Sequence, residues 1–491
     1  MERTLLGDPR DAQLRENLSA IIRSRYLQRV GLYSHKVNSY VPYLAPLLLP
    51  ELDNRDPMTA RQCLISINEM TGLETHSSSH AGFLAPGSIN SSIVNLTTAT
   101  LGVGTLAIPF ALYNAGLLLF MSFLIVQAWL SMTSIRQIIS ALNTTELHSF
   151  EEVSCVLFGR KFTALVEVSI LLFCFGTAVS YHITIGDLGL AICEKLFDSN
   201  NQTWFFTSIL LTRTGFLCTV TVLVLLPLCM YDKITELRFT CLIGLGCILM
   251  TVVVVVYGLF NDGISPEVTS NLSNFLFPRE FHQVMSALGI LTFAFCSQPN
   301  VPTIFYELED RSIAKMTSAV SRATGLCMSV YITMGLAGVC RFASRTAPSV
   351  IGNLEQEFLA GNTGVVMAYC LLVFAVSMSF PLNVFPIKLT FEQLFIHAGI
   401  QNIFVASRLV AVFVVLLSLV CAIAIPNVST IFDLIGTTVG SLICFVLPAA
   451  IYLKILSLSR SLLCRRARKA WIVLITGSIL LIAGTATSFA R

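Results

Sequence analysis

Long apolar runs recur along most of this chain, bounded by short charged or turn-forming stretches. Residues 91–135 carry no charged side chain, which is enough for two spans divided by the turn signal Tyr113-Asn114-Ala115-Gly116. Further runs fall at about residues 162–193, 215–231, 239–260, 282–306, 323–340, 361–387, 409–432, 434–453 and 470–490. A membrane helix needs about twenty residues. The pattern therefore predicts an all-α polytopic membrane protein of eleven transmembrane helices. Residues 1–85 mix charged, Ser/Thr and Pro residues, and their one apolar cluster, residues 41–50, is too short and proline-rich to span. They read as a cytoplasmic, partly disordered tail, either inert or used for docking.

Two runs break the pattern. The first, residues 92–116, carries Asn95, Thr97, Thr98 and Thr100, then Gly102-Val103-Gly104, with Pro109 beyond. In hydrocarbon every backbone N–H and C=O needs an internal partner, so such a break survives only where it faces protein or lines a cavity. The second comes five spans later, where Ser297, Gln298, Pro299, Asn300 and Pro302 interrupt residues 289–308. Two prolines there remove donors and disrupt the helix. Interrupted spans at corresponding positions of two halves point to a transporter of inverted repeats with its site at their interface. Repeat one would cover about residues 91–260, repeat two about 282–453, and an extra helix about 470–490.

Composition agrees: 55% of residues are hydrophobic and 12% charged, against about 25% charged in a soluble domain. The net charge of +3 gives no pull toward nucleic acid. Placement says more than the total. Basic residues of the tail, Arg160 and Lys161, Lys233 and Arg238, Arg311, Lys315 and Arg322, and the group from Arg460 to Lys469 all fall on one side if the spans alternate. That side is cytoplasmic, which puts the N-terminus inside. The sequons at Asn201 and Asn271 then lie outside and the one at Asn143 inside. No cleaved signal peptide is expected. The 15 cysteines show no metal-site spacing and read as small apolar residues, with a disulfide near the outer face as the alternative. No nucleophile elbow, phosphate loop, HExxH or paired carboxylates stand on the spans, and no filter motif is visible, so neither an enzyme nor a channel is expected.

The run NLTTATLGVGTLAIPFAL resembles the first helix of the amino acid/auxin permease superfamily, and FAFCSQPNVPTIFYELEDRS resembles the sixth helix of its sodium-coupled neutral amino acid transporter branch. Ser180-Tyr181 with Gly186-Asp187 is similar to the family's third helix, and VSMSFPLNVFPIK, residues 376–388, to its eighth. The resemblance implies the leucine-transporter type of fold, a 5+5 inverted repeat with broken helices one and six. It also implies secondary active transport of free amino acids by alternating access, driven by Na+ or H+, with no other cofactor. A membrane amino-acid sensor that binds without transport is the alternative. The plasma membrane, or a vacuolar or lysosomal one, would hold it.

Residue chemistry fits a zwitterion independently. Backbone N–H groups of Gly102, Val103 and Gly104, at the positive end of the outer half-helix, suit a carboxylate. Freed carbonyls around Phe293, Ala294 and Ser297 suit an ammonium, and Thr105 adds a hydroxyl. The resemblance places a coupling ion between helices one and eight, on carbonyls of Thr98 and Leu101 with hydroxyls of Ser377 or Ser379, and Asn95 adjacent; ordinary interhelical hydrogen bonding is the competing account of these side chains. Residues 239–260 hold no Lys or Arg, so the lysine that some proton-coupled relatives of this fold use is absent. His182 is either a proton relay or a hydrogen-bonded packing residue. Asp187, toward the outer end of span three, suits a gate or a pathway for cationic groups, and Glu167 a paired surface carboxylate. Gly436 and Gly440 form a GxxxG for close packing.

Overall fold

The computed structural model describes residues 85, 87–196, 212–231, 238–270, 272–277, 280–309, 311–398, 402–424, 435–458 and 464–489. Apart from Ala85, these belong to one compact unit, Pro86–Arg491. The expected tail before Ala85, the sequon asparagines Asn201 and Asn271, Lys233, Arg460, and residues 425–434 of the ninth and tenth runs lie outside the described residues.

The described secondary structure is helical. A bent pair, α1 (Ile89–Thr100) and α2 (Ile108–Ala115), opens the unit, followed by α3 (Leu117–Thr145), the connecting helix α4 (Phe150–Phe158) and α5 (Arg160–Leu196). Next come α6 (Arg213–Cys229), α7 (Arg238–Asp262), α8 (Phe281–Ala294), α9 (Val301–Glu307), α10 (Ile313–Phe342) and the connecting helix α11 (Val350–Leu359). The last are α12 (Thr363–Ser379), α13 (Pro381–Ala398), α14 (Ile403–Ala424), α15 (Gly436–Leu458) and α16 (Arg465–Phe489). Among the described residues nine helical segments are long and apolar enough to cross a membrane, and ten if the bent pair counts as one. The fourth run of the expected eleven forms α6, which is apolar but shorter, with a π turn at Thr221–Leu225. Helices also outrun their apolar stretches. α10 begins at Ile313, ten residues before the run that marks it, capped by Ser312, whose hydroxyl accepts from the Lys315 N–H, because capping and polar first turns extend a helix into the headgroup layer.

Burial sorts the helices. The most apolar window of the broken segment Phe281–Glu307 is 78% buried, and that of α16 22%. Segment six is therefore central and α16 peripheral, with Trp471, Ile475, Ile479 and Ile482 exposed on it as a lipid-facing row.

Contacts at the two ends show that successive spans from α1 to α13 alternate in direction. At one end Arg341, closing α10, meets Asp262, closing α7, at 2.6 Å and Glu357 of α11 at 2.6 Å. Gly258 leaves room for the guanidinium, since a Cβ there would lie 2.3 Å from it. Lys195, near the end of α5, bonds the Phe358 carbonyl at the same end. At the opposite end the Tyr306 hydroxyl donates to the Leu147 carbonyl, the Glu309 N–H to Gly87 at 2.9 Å, and Lys388 to the Tyr231 carbonyl at 2.9 Å. Glu167 is paired there with Arg160 at 3.0 Å but is buried, not superficial.

Candidate functional site

The first break begins where the α1 ladder closes, with the Leu101 N–H on the Thr97 carbonyl at 2.7 Å. The carbonyls after Thr97 thus have no partner within the helix. Gly102 is extended (ψ −150°), Val103–Ala107 forms a tight 3-10 turn, and α2 leaves at 48° to α1. Pro109 sits in the first turn of α2, where its missing N–H costs nothing. Gly102 is required by a neighbour: a Cβ there would fall 1.9 Å from the Tyr181 hydroxyl of α5. That hydroxyl faces the Val103 backbone and Asn383. At Gly104 a Cβ would meet Ala294 and Phe293 at 3.3 Å, so the two breaks touch.

The second break follows Ala294. Residues 295–297 leave the helix, Gln298–Asn300 make one 3-10 turn, and α9 resumes at Val301. Span two supports it. Ser131 donates to the Phe295 carbonyl at 3.1 Å and accepts from Gln298 Nε2 at 3.3 Å. The Cys444 thiol of α15 donates to Gln298 Oε1 at 3.2 Å, and Gln127 donates to Thr292 at 2.8 Å. One residue joins both breaks: the Tyr331 hydroxyl of α10 lies 2.6 Å from the Ala294 carbonyl and 2.9 Å from that of Thr100, sharing its proton between them.

A cavity opens between the breaks, lined by Thr100, Gly102, Val103 and Gly104 from the first, Phe293, Cys296 and Asn300 from the second, Phe173, Thr177 and Tyr181 from α5, and Asn383 from α13. None of its lining residues is charged. Asn300 Oδ1 is buried without a protein partner, an acceptor left for something else to satisfy, and the Asn383 amide beside it is turned toward the Tyr181 hydroxyl without a bond of good geometry. The Phe173 and Phe293 rings, 5.7 Å apart, close one wall. A second cavity lies behind the first break, lined by Gly102, Val103, Thr105, Thr251 and Ser379 among others.

The candidates named from sequence divide accordingly. Gly102, Val103, Gly104 and Phe293 line the first cavity, and Thr105 the second. Ala294 and Ser297 are buried at the second break; the Ser297 carbonyl accepts the Asn300 N–H at 3.1 Å. Thr98 spends its hydroxyl on the Cys241 carbonyl of α7 at 3.1 Å, Ser377 on Val373 at 2.7 Å. The Ser379 hydroxyl and Asn95 Oδ1 are buried without a partner, and Leu101 is fully buried beside the break. His182 makes packing contacts: Nε2 is 3.2 Å from the Thr221 hydroxyl, Nδ1 3.3 Å from the Ala178 carbonyl and 3.2 Å from Ser418, with Phe380 edge-on to the ring. It thereby ties α5 to α6 and α14, away from the lining of both cavities. Asp187 pairs with Arg213 at 3.0 Å at a half-exposed end. Gly436 serves close packing, its missing Cβ making way for the Gly289 carbonyl.

Asp187→Asn removes a partly exposed ion pair worth about 0–1 kcal/mol. Its expected effect is a small drop in thermal midpoint, and uptake of cationic and neutral amino acids altered equally checks that the Arg213 pair, not substrate attraction, is its role.

A sequence profile described as "Transmembrane amino acid transporter protein" matches residues 85–490. The chain is 26% identical over 395 residues to sodium-coupled neutral amino acid symporter 2 of Danio rerio, covering 76% of each protein. It is 26% identical over 403 residues to amino acid transporter AVT6B of Arabidopsis thaliana, covering 78% of this chain and 86% of that one. With human solute carrier family 38 member 10 the match is 25% over 378 residues, 74% of this chain but 32% of the longer relative. Among solved structures, MhsT in complex with L-phenylalanine aligns with a TM-score of 0.55 at 13% identity, over 81% of this chain and 98% of that one. A Na+-coupled sialic acid symporter in a substrate-bound outward-open state aligns with a TM-score of 0.52 at 16% identity, over 88% and 96%. At those identities the likeness speaks of the fold alone.

Proposed function

Because the chain belongs to the transmembrane amino acid transporter family, its profile matching residues 85–490, we propose that it is a secondary active transporter of free amino acids working by alternating access. The observation that carries the reading is the cavity where two broken spans meet: it is lined by unwound backbone and uncharged side chains. A zwitterion's carboxylate would take the N–H groups of Gly102 to Gly104 and its ammonium the carbonyl side of the second break around Phe293, where the cavity reaches it; the Ala294 and Ser297 carbonyls, which already accept from Tyr331 and Asn300, would have to share. Asn300 and Asn383 add an acceptor and a donor. A lining without charge favours neutral over cationic or anionic substrates, since no buried partner awaits a charged side chain. Eleven spans in two inverted repeats of five plus one, with the N-terminus cytoplasmic, complete the reading; the basic residues that open α5, α10 and α16, all at one end when spans alternate, support that orientation.

The coupling ion is proposed to be Na+, as in the names of the sodium-coupled relatives, held by carbonyls of Thr98 and Leu101 with Ser379, and with Asn95 and Thr105 nearby. These are hard oxygen donors of the kind such a cation prefers. Ser377→Ala should leave cation dependence unchanged, because Ser379 and not Ser377 lines the cavity behind the first break. Ser379→Ala should raise the sodium concentration for half-maximal uptake roughly tenfold, the loss of about 1.4 kcal/mol of binding; identical sodium curves for both variants would remove Ser379 as a ligand. The deciding experiment is uptake of an amino-acid panel by proteoliposomes, with sodium replaced by an inert cation and external pH varied. Binding without accumulation would mark a sensor instead.

A further inference from the structure

Glu151 is a buried carboxylate outside the substrate cavity. It stands on α4, the short helix that joins spans two and three, and accepts a hydrogen bond from Thr390 Oγ1 of α13 at 2.8 Å. Thr390 is itself fully buried, and its hydroxyl also lies 3.0 Å from the Pro386 carbonyl. One hydroxyl proton therefore faces two acceptors. The contact joins elements that are far apart in sequence, at the same end as Gly87, Leu147, Tyr306 and Lys388, which is the inner end under the proposed orientation.

We propose that Glu151 is a proton-binding latch of the inner end: carrying a proton it holds α4 to α13, and losing the proton it lets them part. This inference rests on the alternating-access reading and adds its regulation. The hydrogen bonding has two complete states. Neutral Glu151 donates its O–H to Thr390 Oγ1 while Thr390 gives its own proton to Pro386, so no charge is buried. Ionised Glu151 takes the Thr390 proton but leaves a carboxylate in a dry contact, which hydration relieves only if the helices separate.

Burial pushes the Glu151 carboxyl up from the ordinary carboxylate range; its own backbone and the hydroxyls of Thr390 and Ser149 pull it back, and Glu167 adds to the rise. The groups around it are accounted for element by element. On α5, Glu167 is engaged by Arg160 at 3.0 Å, and Cys174, which lines the central cavity, feels the Glu151 charge. On α13, Lys388 reaches the Tyr231 carbonyl; on α15, Lys454 lies over the Phe158 ring at the far end of α4. The sign follows: a carboxyl whose value is raised in the closed state stabilises that state below the ordinary carboxylate range. That contribution is lost as pH climbs through the raised value.

The test reads opening and not transport. Full-length protein in nanodiscs is treated with a small cationic thiosulfonate reagent, and modification of the cavity-lining Cys174 and Cys296 is followed by mass spectrometry from about pH 5 to about pH 8. Rates at Cys296, whose thiol does not feel the Glu151 charge, are divided by those of Glu151→Gln at each pH, which cancels the titration of that thiol; Cys174, which does feel it, only reports that the cavity is reached. The wild-type ratio should rise with pH, by up to about tenfold for each unit separating the closed-state and open-state values. Thr390→Val, which removes a group that favours the ionised form, should move the midpoint of that rise upward. A flat ratio, or an unmoved midpoint in the Thr390 variant, overturns the latch. If the amino-acid panel fails while the ratio still rises, the latch stands and the transport reading falls.

Discussion

Gly102→Ala should lower amino-acid uptake by about a hundredfold or more, the scale on which a displacement of about 1 Å costs a positioned site, while the protein still reaches the membrane. The cause is a single contact. The new methyl carbon would fall 1.9 Å from the Tyr181 hydroxyl and 3.0 Å from its ring carbon, so either the ring leaves its buried place on α5 or the first break straightens away from the second. Both outcomes move the N–H groups of Val103 and Gly104 out of the cavity they line. Gly104→Ala meets Ala294 and Phe293 at 3.3 Å, a contact a few tenths of an ångström can relieve, and should lose distinctly less. The decisive comparison pairs Gly102→Ala with Tyr181→Phe. Without the hydroxyl the nearest ring atom is 3.0 Å away, and the double variant should transport better than the product of the single effects allows. Strict additivity would mean that the clash is not what the glycine avoids.

That contact also marks the limit of what the chain's pattern discloses. The two breaks were legible because each is a local contradiction: glycines and hydroxyls, or two prolines, inside runs too apolar for loops. Span positions were legible for the same reason, since hydrocarbon demands continuous apolar stretches. Span ends were not, because capping and polar first turns lie outside hydrocarbon, as with α10 starting at Ile313. Tyr331 and Asn383 carry no such signal. Each is an ordinary residue in its own helix, and its role arises from packing against elements 37 to 231 positions away in the case of Tyr331. Tyr331 stands between Ser329 and Thr333, so its hydroxyl makes no local contrast that would single it out. His182 shows the converse: a lone histidine in a span reads as a proton relay or a packing residue, and its partners Thr221, Ala178 and Ser418 become visible only when α5 meets α6 and α14.

Tyr331→Phe should be the most damaging conservative change away from the glycines. The ring survives, and with it the edge-on contact to Phe295 at 5.2 Å, so packing is kept and only the hydroxyl is lost. Its two acceptors then fare differently. Thr100 lines the cavity and water can take the place of the phenol, whereas Ala294 is buried beneath it. Leaving that carbonyl unsatisfied costs about 1–3 kcal/mol, which should appear as a thermal midpoint lower by several degrees in detergent. Function should suffer in step, because the shared proton ties the carbonyl ends of α1 and α8 directly to each other beside the proposed site. Uptake is expected to fall by about tenfold for each 1.4 kcal/mol by which the aligned pair of breaks is disfavoured. Tyr331→Ala adds the loss of a fully buried ring, about 3–5 kcal/mol by comparison with other large aromatic truncations, and should fail to accumulate as folded protein. A Tyr331→Phe variant with wild-type midpoint and wild-type uptake would show that the two breaks are held in register by backbone packing at Gly104 alone, and the tyrosine would then be a spectator.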